Sequence, residues 1–289
     1  MSRRLPAWSL VLTAAVSIQF GAAIGATLFD ELGPGGVSLL RLGLAAPILL
    51  IVWRPDPREH PRGDLQLAAL FGVVLGAMNL FFYLALARIP LGVAVTIEFA
   101  GPLAVAVFAS RRRADLAFAA LAALGIVLLA SADAGGEGPL DPVGLLYIGI
   151  AAACWAAYIL IAQRAGQRFT GGRGLALASA VAVLVPLGPG IAQGGSDLVR
   201  PEYLLAGLAV ALMSSVIPYS LETESLRRIP ASVFGVLMSL EPAIAALAGF
   251  AILGQALGVR ECLAIALVVA ASIGVTRGSP ADAPPPVDG

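Results

Sequence analysis

Charge is scarce in this chain: 12% of its 289 residues are Asp, Glu, Lys or Arg, against 59% hydrophobic. So few charges cannot cover the wetted surface of a soluble domain, so the bilayer is the expected solvent. Lysine is missing altogether; the 18 basic residues are all arginine, balanced by 18 acids to a formal net charge of zero. No basic face is left for nucleic acid, which is excluded as a partner. Cysteine is reduced to Cys154 and Cys262, both within apolar segments and without metal or redox spacing. They read as small hydrophobes rather than a disulfide. The single histidine, His60, lies between Pro57 and Pro61, which gives no support for a proton relay or metal site. There is no P-loop motif and no grouping of acid/base, metal and nucleophile, so neither ATP hydrolysis nor any other enzyme activity is expected, and no cofactor.

Long apolar runs are what the chain has instead. Ten segments of about 20 residues lie between Gly, Pro and Arg breaks, at approximately 7–29, 37–53, 65–87, 91–109, 114–131, 143–163, 174–193, 203–226, 231–253 and 259–276. The first follows Arg3-Arg4 and is long enough to span, so it reads as an uncleaved helix rather than a secretory signal. Residues 278–289, rich in Pro and Ala, read as a disordered tail. With the N-terminus inside, 14 of the 18 arginines fall in cytoplasmic segments. Arg88, Arg200 and Arg260 fall outside, and Arg41, early in the second span, is expected to snorkel to the outer interface. Both termini are then cytoplasmic.

Two stretches 140 residues apart are variants of one another. Arg88-Ile89-Pro90 leads to Glu98 and Gly101-Pro102, and Arg228-Ile229-Pro230 leads to Glu241-Pro242. Gln19-Phe20-Gly21 corresponds loosely to Cys154-Trp155-Ala156. The chain reads as a duplicated all-α integral membrane protein, with halves at 7–131 and 143–276. Five helices per half force the second copy into the membrane upside down, giving ten transmembrane helices in two inverted repeats. Such repeats are how many secondary transporters alternate access around a midplane site.

A carboxylate in hydrocarbon costs roughly 2.5–3.5 kcal/mol on insertion scales, so Glu98 and Glu241 in matching spans suggest a solvated pathway. Proline lacks an N–H and leaves the carbonyl four residues earlier free: that of Glu98 for Pro102, that of Met238 for Pro242. Both glutamates are expected to face one interior, and a desolvated carboxyl group can exchange a proton near neutral pH, which suits antiport. The alternative is that each only hydrogen-bonds a neighbouring helix. Glu222, matching Phe82 at the same offset and close to Pro218 and Tyr219, is a third candidate unless it sits at the cytoplasmic edge. Met78, Asn79, Phe82 and Tyr83 form a stripe that could line a substrate cavity or simply pack between helices. Asn79 and Gln19 carry buried amides that need partners. Trp155 and Tyr158 could close the opposite wall or act as interface anchors.

In Met78-Asn79-Leu80-Phe81-Phe82-Tyr83, Ile97-Glu98-Phe99, Gly101-Pro102-Leu103, Cys154-Trp155-Ala156-Ala157-Tyr158, Ile217-Pro218-Tyr219-Ser220-Leu221-Glu222 and Leu240-Glu241-Pro242, the chain resembles the ten-helix exporters of the drug/metabolite transporter superfamily with paired EamA-type repeats. Within these it is most similar to the inner-membrane threonine and homoserine exporters. The resemblance implies export of small zwitterionic amino acids in exchange for protons. Glu98, Glu222 and Glu241 would be proton-coupling, and Gln19, Met78, Asn79, Phe82, Tyr83, Glu98, Trp155, Tyr158 and Tyr219 substrate-lining. Efflux of drugs or other metabolites by the same fold is the nearer alternative, a non-transporting membrane protein the more distant one. Two positions depart from the family pattern. Gln255 follows Leu253-Gly254 where the superfamily commonly has Glu, and Ala26-Thr27 stands where some relatives have lysine.

Overall fold

The computed structural model describes residues 6–109, 113–130, 140–226, 228 and 231–278. Arg3, Arg4, Arg111, Arg112, Arg227, the Ile229-Pro230 turn and the tail beyond Gly278 lie outside the described residues. All the regular elements described are helical. They are α1 (Ala7–Ala26), α2 (Phe29–Trp53), α3 (Arg62–Leu86), α4 (Leu91–Glu98), α5 (Ala100–Ala109), α6 (Arg113–Ala130) and α7 (Pro142–Arg168). There follow α8 (Arg173–Ala182), α9 (Leu184–Gly194), α10 (Pro201–Ala211), α11 (Ile217–Leu226), α12 (Ala231–Met238), α13 (Glu241–Leu253) and α14 (Val259–Gly278). A π-helical turn, Leu212–Val216, joins α10 to α11.

Seven helical segments among the described residues are long and apolar enough to cross a membrane, or eight if the pair α8 and α9, bent by 40°, is taken as one span. In α6 the apolar stretch is shorter, Leu116–Leu128. Large apolar side chains face outward all around the bundle, with Phe108 88% and Leu205 69% exposed. Water would not tolerate such a surface, but acyl chains match it.

Prolines set many of the starts: Pro6, Pro61 and Pro90 immediately precede α1, α3 and α4, and Pro142 and Pro201 open α7 and α10. A first-turn proline gives up an N–H that would have no helical partner. Asp141 caps α7 by accepting from the Val143 N–H at 2.8 Å, and its other oxygen accepts from Arg88 at 2.7 Å. That hydrogen bond from Arg88, with help from the Val143 N–H, holds the Asp141 carboxyl below its usual range. In the two repeat motifs the helix loosens locally ahead of the proline, while Phe99 and Leu240 keep right-handed helical dihedrals. The helical pattern is interrupted at Phe99 and again at Ser239-Leu240, and Pro102 and Pro242 then lie in the first turns of α5 and α13.

The second helix differs from expectation. A single turn at residues 29–32, carrying Asp30 and Glu31, is set off by a break at Gly33, whose φ of 65° is left-handed, and the continuous helix runs from Pro34 rather than from near 37. Arg41 is two turns beyond that break and buried, and does not snorkel to an interface. At the break, Gln193 Oε1 from α9 accepts from the Gly35 N–H at 2.7 Å, and a Cβ on Gly33 would stand 2.5 Å from that oxygen. The start of α4 is closed in the same manner. Gln255, just after α13, accepts from the Leu91 N–H at 2.9 Å.

These contacts sort the loops into two ends. One end holds the starts of α2 and α4, the Arg88–Asp141 pair, and the segments after α9 and α13. The other holds Trp53, packed over Gly171 and Gly172, with the Arg168–Asp64 and Arg173–Glu59 pairs. Helix packing is specific: α3 against α7 and α8, α2 against α8 and α9, α4 against α13, α6 against α14, and α1 against α11 and α13.

Candidate functional site

Seven residues of α4 carry the chain ~10 Å inward from Leu91 to Glu98, and α13 covers ~18 Å between Leu253 and Glu241. Both carboxyl side chains are thereby placed in the interior, with Glu98 and Glu241 buried. Glu222 of α11 is half-buried, and both Glu222 and Glu98 lie within electrostatic reach of Glu241. Three acids from three helices thus share one neighbourhood. Glu98 also reaches Cys154 of α7, while Tyr158 of α7 reaches Tyr219 and Glu222 of α11.

The helices can approach this closely because the facing residues are small. Gly101, one turn beyond Glu98, lies where an added Cβ would stand 2.2 Å from the Ala152 carbonyl oxygen of α7. A Cβ on Gly92 would stand 2.9 Å from Ala246 of α13. Aromatic rings fill what remains: Trp155 meets Phe99 edge-on at 5.4 Å, and Tyr158 meets Phe71 at 5.1 Å. Met78 and Tyr158 each pack against the buried cluster of Leu42, Leu75 and Ala182. Phe82 is buried in the main core and touches Tyr83 edge-on at 5.6 Å.

The amides behave differently from one another. Asn79 is buried and gives one amide hydrogen to the Leu75 carbonyl of its own helix at 2.9 Å. Gln19 Oε1, the Tyr83 hydroxyl, Ser38 Oγ and one oxygen of Glu241 are buried without a hydrogen-bond partner among the described residues. Buried polar atoms usually find a partner; His60 Nε2, outside the helices, is a fifth without one among the described residues. Neither cysteine is in a disulfide, and His60 stacks on Phe169 at 4.6 Å near the end of the bundle that holds Trp53. Separately, a crevice of about 450 Å³ lies between α5 and α7, lined by Ala104, Val105, Phe108, Ala156, Leu160 and Gln163, none of which is a predicted site residue.

Sequence reasoning missed Arg41. Its Nη2 donates to the Ser214 carbonyl at 2.7 Å and its Nε to Ser215 Oγ at 3.2 Å, both in the π-helical turn. Its guanidinium lies over the Tyr83 ring, 5.7 Å from the centroid. Ser17 Oγ of α1 donates to the neighbouring Met213 carbonyl at 2.7 Å, so α1, α2, α3 and the π turn meet around this arginine. Two signals were present: the acidic pair Asp30-Glu31, which favours a helix start there, and the small polar pair Ser214-Ser215 within an apolar span.

Residues 142–277 match the EamA-like transporter family. The chain is 40% identical over 277 residues to the threonine/homoserine exporter RhtA of Escherichia coli strain K12, covering 95% of this chain and 93% of that one. It is also 40% identical over 278 residues to the protein of the same name from Salmonella typhimurium strain LT2, covering 95% and 94%. A protein of known crystal structure, 18% identical, superposes with a TM-score of 0.65 over 93% of this chain and 96% of its own, which shows a shared fold. The interior carboxylates, the interrupted helices and an identity that extends along nearly the full length of both chains lead to one conclusion: this multi-pass membrane protein belongs to the EamA-like transporter family and is a transporter, not an enzyme.

Proposed function

We propose that the chain is a secondary exporter of small amino acids, threonine and homoserine among them, that works by alternating access with proton antiport in the bacterial inner membrane. The substrate class follows from 40% identity to exporters of that name over 95% of the chain. The observation that carries the mechanism is the convergence of Glu98, Glu222 and Glu241 from α4, α11 and α13. Carboxyl groups within electrostatic reach of one another in a low-dielectric interior oppose one another's charge, as Glu98 and Glu222 do that of Glu241, which supports an exchange of protons as an amine binds and leaves.

The architecture behind it is ten spans in two inverted repeats, 7–131 and 143–276, counting α4 with α5, α8 with α9, α10 with α11, and α12 with α13. The packing pattern supports this. Under a two-fold relation the second span maps on the seventh, the fourth on the ninth and the fifth on the tenth, and α2 with α8–α9, α4 with α13, and α6 with α14 are neighbours. The first span against the eighth should map on the sixth against the third, and both contacts occur, α1 with α11 and α7 with α3. By the positive-inside rule the end holding Arg54, Arg58, Arg168 and Arg173 is cytoplasmic, with both termini.

The test is efflux of radiolabelled threonine and homoserine from preloaded proteoliposomes, with an amino-acid competitor panel. An acidic exterior is expected to accelerate efflux, and Glu98→Gln to abolish that acceleration while the protein remains monodisperse. Unchanged pH-driven flux in Glu98→Gln would remove Glu98 from the mechanism. No amino-acid efflux by folded protein would reassign the aromatic-walled interior to drugs or other metabolites.

A further inference from the structure

Arg41 presents a problem that the proposed transport reading leaves open. A guanidinium in the middle of a membrane helix is costly and is normally matched by an anion. Arg41 is 7% exposed, yet no Asp or Glu oxygen lies within 4.0 Å of it among the described residues. Glu98 is within its electrostatic reach without forming an ion pair with it.

The guanidinium is nonetheless held firmly. The Ser214 carbonyl and Ser215 Oγ fix one edge, and the Tyr83 ring supports its face at 5.7 Å. A π-helical turn is the kind of irregularity that membrane helices keep where backbone must serve a site, since it re-aims carbonyls that an α-helix would use internally. Two of the five guanidinium N–H directions are used in this way, and no partner at Nη1 is found among the described residues. Ser38 Oγ, one turn before Arg41 on the same face of α2, and the Tyr83 hydroxyl are both buried without partners. A fixed cation whose remaining N–H groups have no partner among the described residues is the chemistry that accepts a planar carboxylate through paired hydrogen bonds, and the two unfilled hydroxyls are on its own helix and on α3, whose Tyr83 ring it covers.

We propose that Arg41 binds the carboxylate of the amino-acid substrate, with Ser38 and Tyr83 beside it, while the amine is directed toward the acidic group around Glu98. This rests on the export reading above and adds a polarity to it. The site has a positive side on α2 and a negative side on α4, α11 and α13, separated by enough space to keep Arg41 and Glu98 from neutralising one another. A zwitterion satisfies both sides; a molecule lacking either charge leaves one of them buried and unmatched.

The experiment compares threonine with threoninol, which keeps the amine and side chain but has a hydroxymethyl group in place of the carboxylate. Binding is read by thermal shift of the purified full chain, and transport by efflux from proteoliposomes. In the wild type, threonine is expected to bind at least tenfold more tightly than threoninol. Arg41→Gln should lose that ratio, with threonine weakened at least tenfold and threoninol nearly unchanged. Should Arg41→Gln fail to fold, Arg41→Lys and Ser215→Ala decide the matter. The first keeps charge without the fork and the second loosens the fork without removing charge, so both should raise the KM for threonine more than they lower kcat and should narrow the threonine-to-threoninol ratio. A wild-type ratio in folded Arg41→Gln, or in both substitute variants, overturns the assignment and leaves Arg41 as a brace for the π turn. If the wild type neither binds nor moves any amino acid, the export reading itself fails, and this assignment with it.

Discussion

Gly101 stands one turn after Glu98, so close to α7 that it leaves no room for even a methyl group: a Cβ there would be 2.2 Å from a backbone oxygen. Backbone cannot rotate aside as a side chain can, so Gly101→Ala must push α5 and α7 apart. Overpacking of this kind costs about 1–3 kcal/mol. A lowered Tm in detergent is the expected result, together with weaker transport, because α5 continues the chain from Glu98 at the end of α4 and α7 carries Trp155; an unchanged Tm would show that the two helices can part at this contact without cost. At this scale the sequence was partly legible. Glu98 and Glu241 stood out because carboxylates beside prolines in apolar runs have few reasons to be there, and the structure puts both in the interior. Arg41 did not stand out, because the burial of an arginine near a helix start depends on what packs over it, here the π turn and Tyr83, which hydropathy along the chain does not show.

At the level of elements, the spans could be read from hydropathy, but their interruptions could only partly be read from proline. Pro102 and Pro242 announced two of these; the π turn at Leu212–Val216 contains no proline and arises from contacts with Ser17 and Arg41 on other helices. The departure at Gln255 also acquires a meaning that spacing alone did not disclose. Its amide oxygen supplies the acceptor for the Leu91 N–H, so a neutral side chain caps α4 without an interfacial charge. Gln255→Ala should leave that N–H without its partner and cost about 0.5–2 kcal/mol, in the range of a lost helix cap. Gln255→Glu retains an acceptor facing the positive end of α4 and should hold the wild-type Tm. Equal Tm losses for the two variants would show that the amide's shape, rather than its oxygen, matters.

For the whole molecule, the orientation proposed above makes opposite demands on the two ends. In a background without Cys154 and Cys262, Ala256→Cys, in the segment after α13, should react with a membrane-impermeant maleimide added to intact cells. Arg58→Cys, at the end bearing Trp53, should react only after permeabilisation. The reverse pattern would invert the topology and, with it, the direction of transport. The proposed duplication rests on two short motifs, which say nothing of which helices pair across its halves, because pairing depends on surfaces that lie far apart in the chain. The two glutamine caps add a constraint of timing. Synthesis runs from the N-terminus, so α2 and α4 enter the bilayer well before Gln193 and Gln255 have been made. Until then the amides of Gly35 and Leu91 must be satisfied by interfacial water or lipid headgroups. The hydrogen bonds that close the starts of α2 and α4 are therefore completed only after α9 and the segment beyond α13 have been made.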